Sequence, residues 1–268
     1  VVDRHLGQFL AGQAAAVARP SEGLLWEIKG SGTTVYLLGS LHVLTRDSYP
    51  LADDIEAAYD SSELVAFETD LAALNSPEVQ SQLLSQALLP PDEKMQDYLS
   101  EETSRALSHY LVTAGLQTTQ FERLKPWMGA LTISLLELQR LGFDPQLGVD
   151  QYFFSKAGRD GKETAGLEPI EMHIKLLTDL EGEDQDGLLR QTLTEIATLR
   201  EMSDEMERAW QTGDAEGLGA IAIGQSFKEF PHLYQKLLVD RNRNWLPQIE
   251  KFLQGGKQVM VIVGADHL

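Results

Sequence analysis

The chain has 268 residues, of which 43% are hydrophobic and 24% are charged, and this composition is ordinary for a globular protein with a sizeable core. Its formal net charge of -19 disfavours nucleic-acid binding, because phosphate groups are repelled, and favours cations and basic peptides. The absence of cysteine excludes disulfide bonds, thiolate zinc sites and a cysteine nucleophile.

No stretch of the sequence approaches the roughly 20 apolar residues that span a bilayer, so we expect no transmembrane segment. The first residue is Val1 instead of methionine, which is typical of a processed or trimmed chain. We therefore expect residues 1–22 to be an N-terminal tail or leader remnant. An extracytoplasmic location, periplasmic or secreted, is favoured, and a cytoplasmic one stays open.

Two β-rich runs near the start, Leu24–Lys29 and Thr33–Leu38, flank a glycine-rich turn, and this pattern predicts a β-hairpin. Three further short apolar runs predict buried strands at 63–68, 161–168 and 258–263. The strands are separated by long segments with a helical pattern, so the predicted fold is mixed α/β with a central mixed sheet.

The segments between the strands carry hydrophobic residues at steps of three and four, which is typical of amphipathic helices. One long helix is predicted over 189–210. A second helix is predicted as well. Its core residues are expected to be Trp127, Leu131, Leu135, Leu138 and Leu141. We expect a single domain over 23–268, in which the segments at about 71–160 and 170–255 form a helical insertion or cap.

Ionisable side chains stand at the C-terminal ends of four predicted strands. His42 follows the second strand of the hairpin, Glu68 and Glu168 end the next two strands, and His267 follows the last one. Each histidine comes three residues after a glycine, which lets the chain turn sharply away from its strand. Because ligands of open α/β sheets bind outside the carboxyl ends of the strands, we expect these side chains to share one site.

Two imidazoles with one or two carboxylates suit a divalent cation such as Zn²⁺, Mn²⁺, Fe²⁺ or Co²⁺. Such an ion lowers the pKa of a water molecule to about 7 and polarises carbonyl groups, which indicates a metal-dependent hydrolase with the second carboxylate as general base. His173, one turn after Glu168, is a further candidate for the same pocket. Neither a His-Glu-x-x-His helix nor a Gly-x-Ser-x-Gly turn is present, so the zincin and serine-hydrolase mechanisms lack support.

Several short motifs follow one another from about Leu24 onward. They are Gly39-Ser40-Leu41-His42, Glu68, Lys125-Pro126-Trp127, Gly148-Val149-Asp150, Gly166-Leu167-Glu168, Arg241-Asn242-Arg243-Asn244-Trp245 and Gly264-Ala265-Asp266-His267. In this order they resemble the TraB/GumN family, which includes the Tiki proteins that cleave Wnt ligands and the bacterial pheromone-shutdown proteins. The resemblance covers nearly the whole chain.

The resemblance implies a mixed α/β core related to erythromycin esterase and ChaN-like proteins. It also implies a Tiki-like metallopeptidase that cleaves peptide or protein substrates through a metal-activated water, with Mn²⁺ or Co²⁺ as the favoured ion. His42, Glu68 and His267 fall on the family's motif positions and are the expected metal ligands.

The remaining motif residues have expected roles around this ion. Glu168 is expected to be the general base or an additional ligand, and Arg243 to stabilise a developing oxyanion. Asp150 is expected to orient a ligand histidine from outside the ligand set. Asp266 and His173 depart from the family pattern, since a small residue and a glutamine are expected there. Related chains continue beyond the second histidine, so further residues are expected after Leu268.

Two other functions stay open at this point. The same histidines would suit a protein that binds or sequesters a peptide pheromone or haem without turnover, and ChaN-like relatives make haem a candidate. The second alternative function is that of an esterase-like hydrolase of small molecules. No pattern in the sequence indicates the oligomeric state.

Overall fold

The structure is a computed structural model that describes residues 23–30, 32–180, 182–223 and 234–268. The predicted tail, residues 1–22, lies outside the described residues. Within these ranges no helix has both the length and the apolar character that crossing a membrane requires.

The chain divides into two compact units. The first contains the described residues up to Leu71 together with Phe143–Ile170 and Met202–Leu268, and the second contains Ala72–Gly142 and Glu171–Glu201. The second unit therefore corresponds to part of the predicted helical insertion, whereas residues 143–160 and 202–255 of that insertion belong to the first unit.

In the described part of the chain, five strands of the first unit form one sheet in the order β1-β2-β5-β3-β4. The strands are β1 (Leu25–Lys29), β2 (Thr34–Ser40), β3 (Leu64–Thr69), β4 (Glu163–Glu168) and β5 (Val259–Gly264). β1 and β2 form the predicted antiparallel hairpin, and the other neighbouring pairs are parallel. This mixed sheet with many helices confirms the predicted α/β class.

The helices occupy most of the remaining described chain. They are α1 (Asp53–Ser61), α2 (Leu71–Leu74), α3 (Pro77–Ala87), α4 (Glu101–Ala114), α5 (Pro126–Arg140), α6 (Val149–Asp160), α7 (Ile170–Thr178), α8 (Gly182–Glu195), α9 (Leu199–Gln211), α10 (Ala215–Ile223) and α11 (Asp240–Gln254). A 3₁₀ turn at Ile196–Thr198 separates α8 from α9, so the prediction of one continuous helix over 189–210 was wrong.

The second unit has its own buried cluster, which includes Leu107, Ile133 and Leu189. On α5 the buried positions follow steps of three from Trp127, through Ala130 to Ile133, whereas the prediction began with two steps of four, to Leu131 and Leu135. Leu131 and Leu135 are therefore exposed rather than in the core. Leucines at helical spacing do not by themselves specify which face of a helix is buried.

β5 is the centre of the sheet in the first unit. Every residue of β5 and β3 is buried, as expected for parallel strands covered on both faces. Ser40 pairs with Gly264 and Thr69 with Glu168, so the ends of the four parallel strands lie along one edge. This edge carries the side chains that the sequence places at the strand ends.

Candidate active site

The four predicted residues all come from the carboxyl edge of the sheet. His42 follows β2, Glu68 is in β3, Glu168 ends β4, and His267 is in a 3₁₀ turn, Ala265–His267, directly after β5. Glu68, Glu168 and His267 are buried, whereas the side chain of His42 is 65% exposed.

The centre of the buried group is Arg241, which the sequence analysis did not select. Its Nε and Nη2 donate to the two oxygens of Glu168 at 3.1 and 2.8 Å, and Nη2 also donates to Glu68 Oε2 at 2.6 Å. Nη1 donates to the Leu237 carbonyl at 3.2 Å and lies 3.1 Å from His267 Nε2. One buried guanidinium thus links two carboxylates and an imidazole.

These contacts determine the tautomer of His267. A guanidinium only donates hydrogen bonds, so Nε2 of His267 must accept from Arg241 and its proton must be on Nδ1. Nδ1 then donates to Asn242 Oδ1 at 2.7 Å, and Asn242 Nδ2 donates to the His267 carbonyl at 3.0 Å. Burial lowers the pKa of His267, which agrees with a neutral ring.

Glu68 is held in its charged form. Burial alone would raise the pKa of Glu68, but the charges of Arg241 and His42 and the N–H of Gly264, which donates to Oε1 at 2.7 Å, hold it well below its usual range. Trp245 contributes to the same cluster, since its Nε1 donates to Glu168 Oε2 at 3.2 Å. Glu68 therefore behaves as a fixed anion in this arrangement, and Glu168 is held by Arg241 and Trp245.

His42 pairs with Asp150 at the start of α6. Its Nδ1 lies 2.8 Å from Asp150 Oδ2, and Ser40 donates to the other oxygen, Oδ1, at 2.7 Å. The Asp150 carboxylate raises the pKa of His42 and leaves Nε2 pointing away from it. This agrees with the orienting role that the family resemblance implies for Asp150.

The segment with His42 is fixed against α6 by backbone contact. The N–H of Val149 donates to the Leu41 carbonyl at 3.0 Å. A Cβ atom at Gly148 would lie 2.2 Å from the His42 carbonyl oxygen, so only glycine allows this approach. Gly148 therefore determines where His42 lies relative to Asp150.

We expect Asp150→Asn to lower the pKa of His42 by at least about one unit, because the charge that favours its protonated form is removed. NMR titration of the histidine ring protons in metal-free protein measures this. The ring protons of His109, exposed on α4, provide an internal control in the same spectra. An unaltered His42 titration would mean that the two side chains are not paired in solution.

Three polar atoms surround the open face of Gly264. A Cβ atom built there would lie 2.6 Å from Asp266 Oδ1, 3.2 Å from Glu68 Oε1 and 3.4 Å from His42 Nε2. The backbone angles of Gly264, φ -50° and ψ 137°, are allowed for any residue. Glycine is therefore required because there is no room for a side chain. We refer to this space as the Gly264 cradle.

The donor atoms of the site fit a divalent cation in part. Within the described ranges, no group of three or more His, Asp or Glu side chains is already arranged to hold a metal ion. His42 and Glu68 turn a nitrogen and an oxygen towards the Gly264 cradle, which suits such an ion. His267 Nε2 lies 3.9 Å from Glu68 Oε1 but is engaged by Arg241, so it needs that contact to open before it can ligate.

Two other predicted residues are on helices, Arg243 on α11 and His173 on α7. Arg243 is 61% exposed on α11, where it faces Asp240 at 3.9 Å, and the structure does not bring it to Glu68 or Glu168. His173 is half-buried on α7, in the second unit. The sequence spacing could have indicated Arg241. Arg241 stands four residues before the buried Trp245, so the two side chains lie on the same face of α11.

Comparison with known proteins extends these observations. A model of the TraB/PrgY/gumN family matches residues 24–268. The chain is similar to the uncharacterized protein YbaP of Escherichia coli strain K12, with 25% identity over 233 residues, or 87% of this chain and 83% of the relative. No solved structure matches it.

Two further relatives differ in how much of their length is matched. The metalloprotease TIKI2 of Danio rerio is 27% identical over 252 residues, which cover 82% of this chain and 47% of TIKI2. An uncharacterized protein of Treponema pallidum strain Nichols is 22% identical over 205 residues, covering 75% of this chain and 61% of the relative. The chain thus spans about half of the metalloprotease.

Proposed function

The chain belongs to the TraB/PrgY/gumN family, and from this premise we propose that it is a metal-dependent hydrolase that cleaves peptide or protein substrates at the carboxyl edge of its sheet. The observation that carries the proposal is the grouping of His42, Glu68, Glu168 and His267 at that edge. The similarity to a metalloprotease of Danio rerio supports the peptidase activity. The net charge of -19 favours basic substrates.

His42, Glu68 and His267 would hold the cation, and Mn²⁺ or Co²⁺ is the ion that the family resemblance favours. When bound, such an ion supplies a Lewis acid that polarises a carbonyl group and lowers the pKa of a water molecule. Ligation by His267 requires Arg241 to move from its Nε2.

The surrounding residues position these groups. Asp150 holds the His42 ring through Nδ1, and Asn242 holds the His267 ring in the same way. Arg241 holds Glu68 in the charged state and pairs with Glu168. Glu168 acts as the general base in this proposal once a bound substrate draws Arg241 away from one of its oxygens.

The test is cleavage of a diverse peptide library by purified protein with Mn²⁺, Co²⁺ or excess chelator. We expect cleavage only with added metal, and a loss of at least about 100-fold in kcat/KM for His42→Ala and Glu68→Gln. Matched controls are His109→Ala and Glu205→Gln, which change an exposed histidine and an exposed glutamate. Both controls should retain the parent rate within about twofold.

Arg243→Ala in the same assay tests its expected oxyanion role, which predicts a fall in kcat with little change in KM. If no metal supports turnover while the protein still binds peptide or haem, the hydrolase is contradicted and a binding function is favoured. Cleavage of small esters without cleavage of any peptide would favour the esterase-like reading instead.

A further inference from the structure

Helix α9 contacts the chain just before His42. Trp210 lies near the end of α9 and is buried, and its indole Nε1 donates to the Gly39 carbonyl at 2.6 Å. Gly39 belongs to β2, and its own N–H donates to the Leu24 carbonyl at 3.0 Å. A buried carbonyl group without a donor costs free energy, so Trp210 completes the hydrogen bonding of β2 where the strand approaches its end.

The same helix also contacts the chain just after His42. One turn before Trp210, Glu207 Oε1 accepts hydrogen bonds from the hydroxyl of Thr45, at 3.2 Å, and from that of Ser48. The two hydroxyl oxygens lie 3.3 Å apart, so the three side chains meet at one point. Side chains three residues apart lie on one face of a helix, and this face of α9 therefore holds the chain on both sides of His42.

The loop between these contacts, residues 41–45, is also held by the segment that leads into α6. We call it the His42 loop. Leu44 and Asp144 exchange two backbone hydrogen bonds, at 2.9 and 3.5 Å, in addition to the contact of Val149 described above. Helix α9 and this segment together fix the backbone from which the imidazole ring reaches its carboxylate partner.

Stability alone gives little reason for a carboxylate at position 207. Glu207 is half-buried, and the partners that it has in the described part of the chain are two neutral hydroxyls, so the cost of removing a charge from water opposes its hydrogen bonds. An apolar side chain of similar size would avoid this cost. What the carboxylate adds is a strong acceptor that holds Thr45 and Ser48 at once. Glu207 is therefore better explained by the geometry that it fixes than by a contribution to stability.

We infer that Glu207 and Trp210 are positioning residues of the proposed active site, which hold the chain on both sides of His42 so that its ring stays in place against Asp150. The inference rests on the proposed function, since His42 acts there. Misplacement of a reacting group by about 1 Å lowers a rate by about 100-fold, so these contacts affect turnover without touching the substrate. Substrate affinity should depend on them much less.

The experiment combines peptide cleavage with hydrogen exchange. The kinetic arm uses a peptide that the parent cleaves with added metal, and the other arm follows amide hydrogen exchange in metal-free protein by mass spectrometry. The variants are Glu207→Leu, which removes the acceptor, and Trp210→Phe, which removes the donor. Glu207→Gln is the conservative variant, because its amide oxygen still accepts from both hydroxyls. Glu205→Leu, at an exposed position on α9, is the matched control.

For Glu207→Leu and Trp210→Phe we expect kcat to fall at least about 10-fold with KM within about threefold, because positioning is lost and binding is kept. Amides of residues 41–48 should exchange faster, while those of β5 should not change. Glu207→Gln and Glu205→Leu should keep kcat within about threefold of the parent. All assays are made where circular dichroism shows each variant to be folded, so that a loss of stability alone leaves kcat unchanged.

Removing the two hydroxyls tests the route of the effect. Thr45→Val combined with Ser48→Ala should lower kcat about as much as Glu207→Leu does, because the same contact is lost from the other side. Adding Glu207→Leu to this pair should then cause no further loss.

The outcomes separate the inference from the proposed function. If the parent cleaves peptide and His42→Ala abolishes cleavage, while Glu207→Leu and Trp210→Phe keep the parent kcat, the inference is overturned and the proposed function stands. A fall in kcat without faster exchange of residues 41–48 also overturns the inference, since the loop is then not displaced. An equal loss in Glu207→Gln overturns it too, because charge and not the hydrogen bonds would then matter. If no metal supports cleavage by the parent, both the proposed function and the inference fail.

Discussion

Replacing Arg241 with methionine is expected to lower the free energy of unfolding by about 3–5 kcal/mol, since removing one partner of a buried ionic cluster leaves the other charges uncompensated. Arg241 is buried and faces Glu68 at 2.6 Å and Glu168 at 2.8 Å. Methionine fills a similar volume without charge, so the loss reports the electrostatic contribution. Urea unfolding followed by tryptophan fluorescence measures it.

Two comparisons make this result specific. Arg243→Met, on the exposed face of the same helix, should change stability by no more than about 0.5 kcal/mol. Combining Arg241→Met with Glu68→Gln and Glu168→Gln should recover a large part of the loss, because no unpaired charge then remains. A triple variant that is as unstable as Arg241→Met alone would show that packing, not charge, explains the effect.

Gly148→Ala is expected to cost about 1–3 kcal/mol of stability and to displace His42, because the new methyl group would overlap the His42 carbonyl. The overlap is with backbone, at 2.2 Å from the oxygen and 2.6 Å from the carbon, so rotation of a side chain cannot relieve it. The Nδ1 contact with Asp150 should then be lost. Urea unfolding and the pKa of His42 by NMR measure the two consequences.

Gly158→Ala is the matched control for this change, because it lies on the same helix and no atom is within 4 Å of the added Cβ. It should stabilise the protein by up to about 1 kcal/mol, since alanine favours a helix interior over glycine. If Gly148→Ala were as stable as the parent and kept the raised pKa of His42, the close approach of the two segments would be wrong.

The strands were predictable because their signals are local. The continuous apolar runs at 259–263 and 64–67 are typical of buried parallel strands, and Gly264 ends the first run as Glu68 ends the second. β5 and β3 lie within one residue of the predicted positions. The order of the strands follows from tertiary pairing, which no single run specifies.

The composition of the site was harder to predict. Arg241 and Arg243 stand in the same Arg-Asn repeat, and only the position of Arg241 one turn before the buried Trp245 separates them. Asp266 stands in the last motif as a departure from the family pattern, and its place beside His42 and Glu68 depends on the space left by Gly264. The motifs placed His42, Glu68, Glu168 and His267 at the strand ends, whereas the motif that contains both arginines did not indicate that Arg241, and not Arg243, is the buried one.

The central place of β5 has a consequence for how the protein is made. β2 and β3 do not pair with each other, and each has β5 as its parallel neighbour. While a ribosome is still synthesising α11, both strands therefore present unsatisfied backbone edges, which favour aggregation or chaperone binding. His42 and Glu68 meet Asp266 and His267 only when β5 inserts, so a nascent chain has no assembled site.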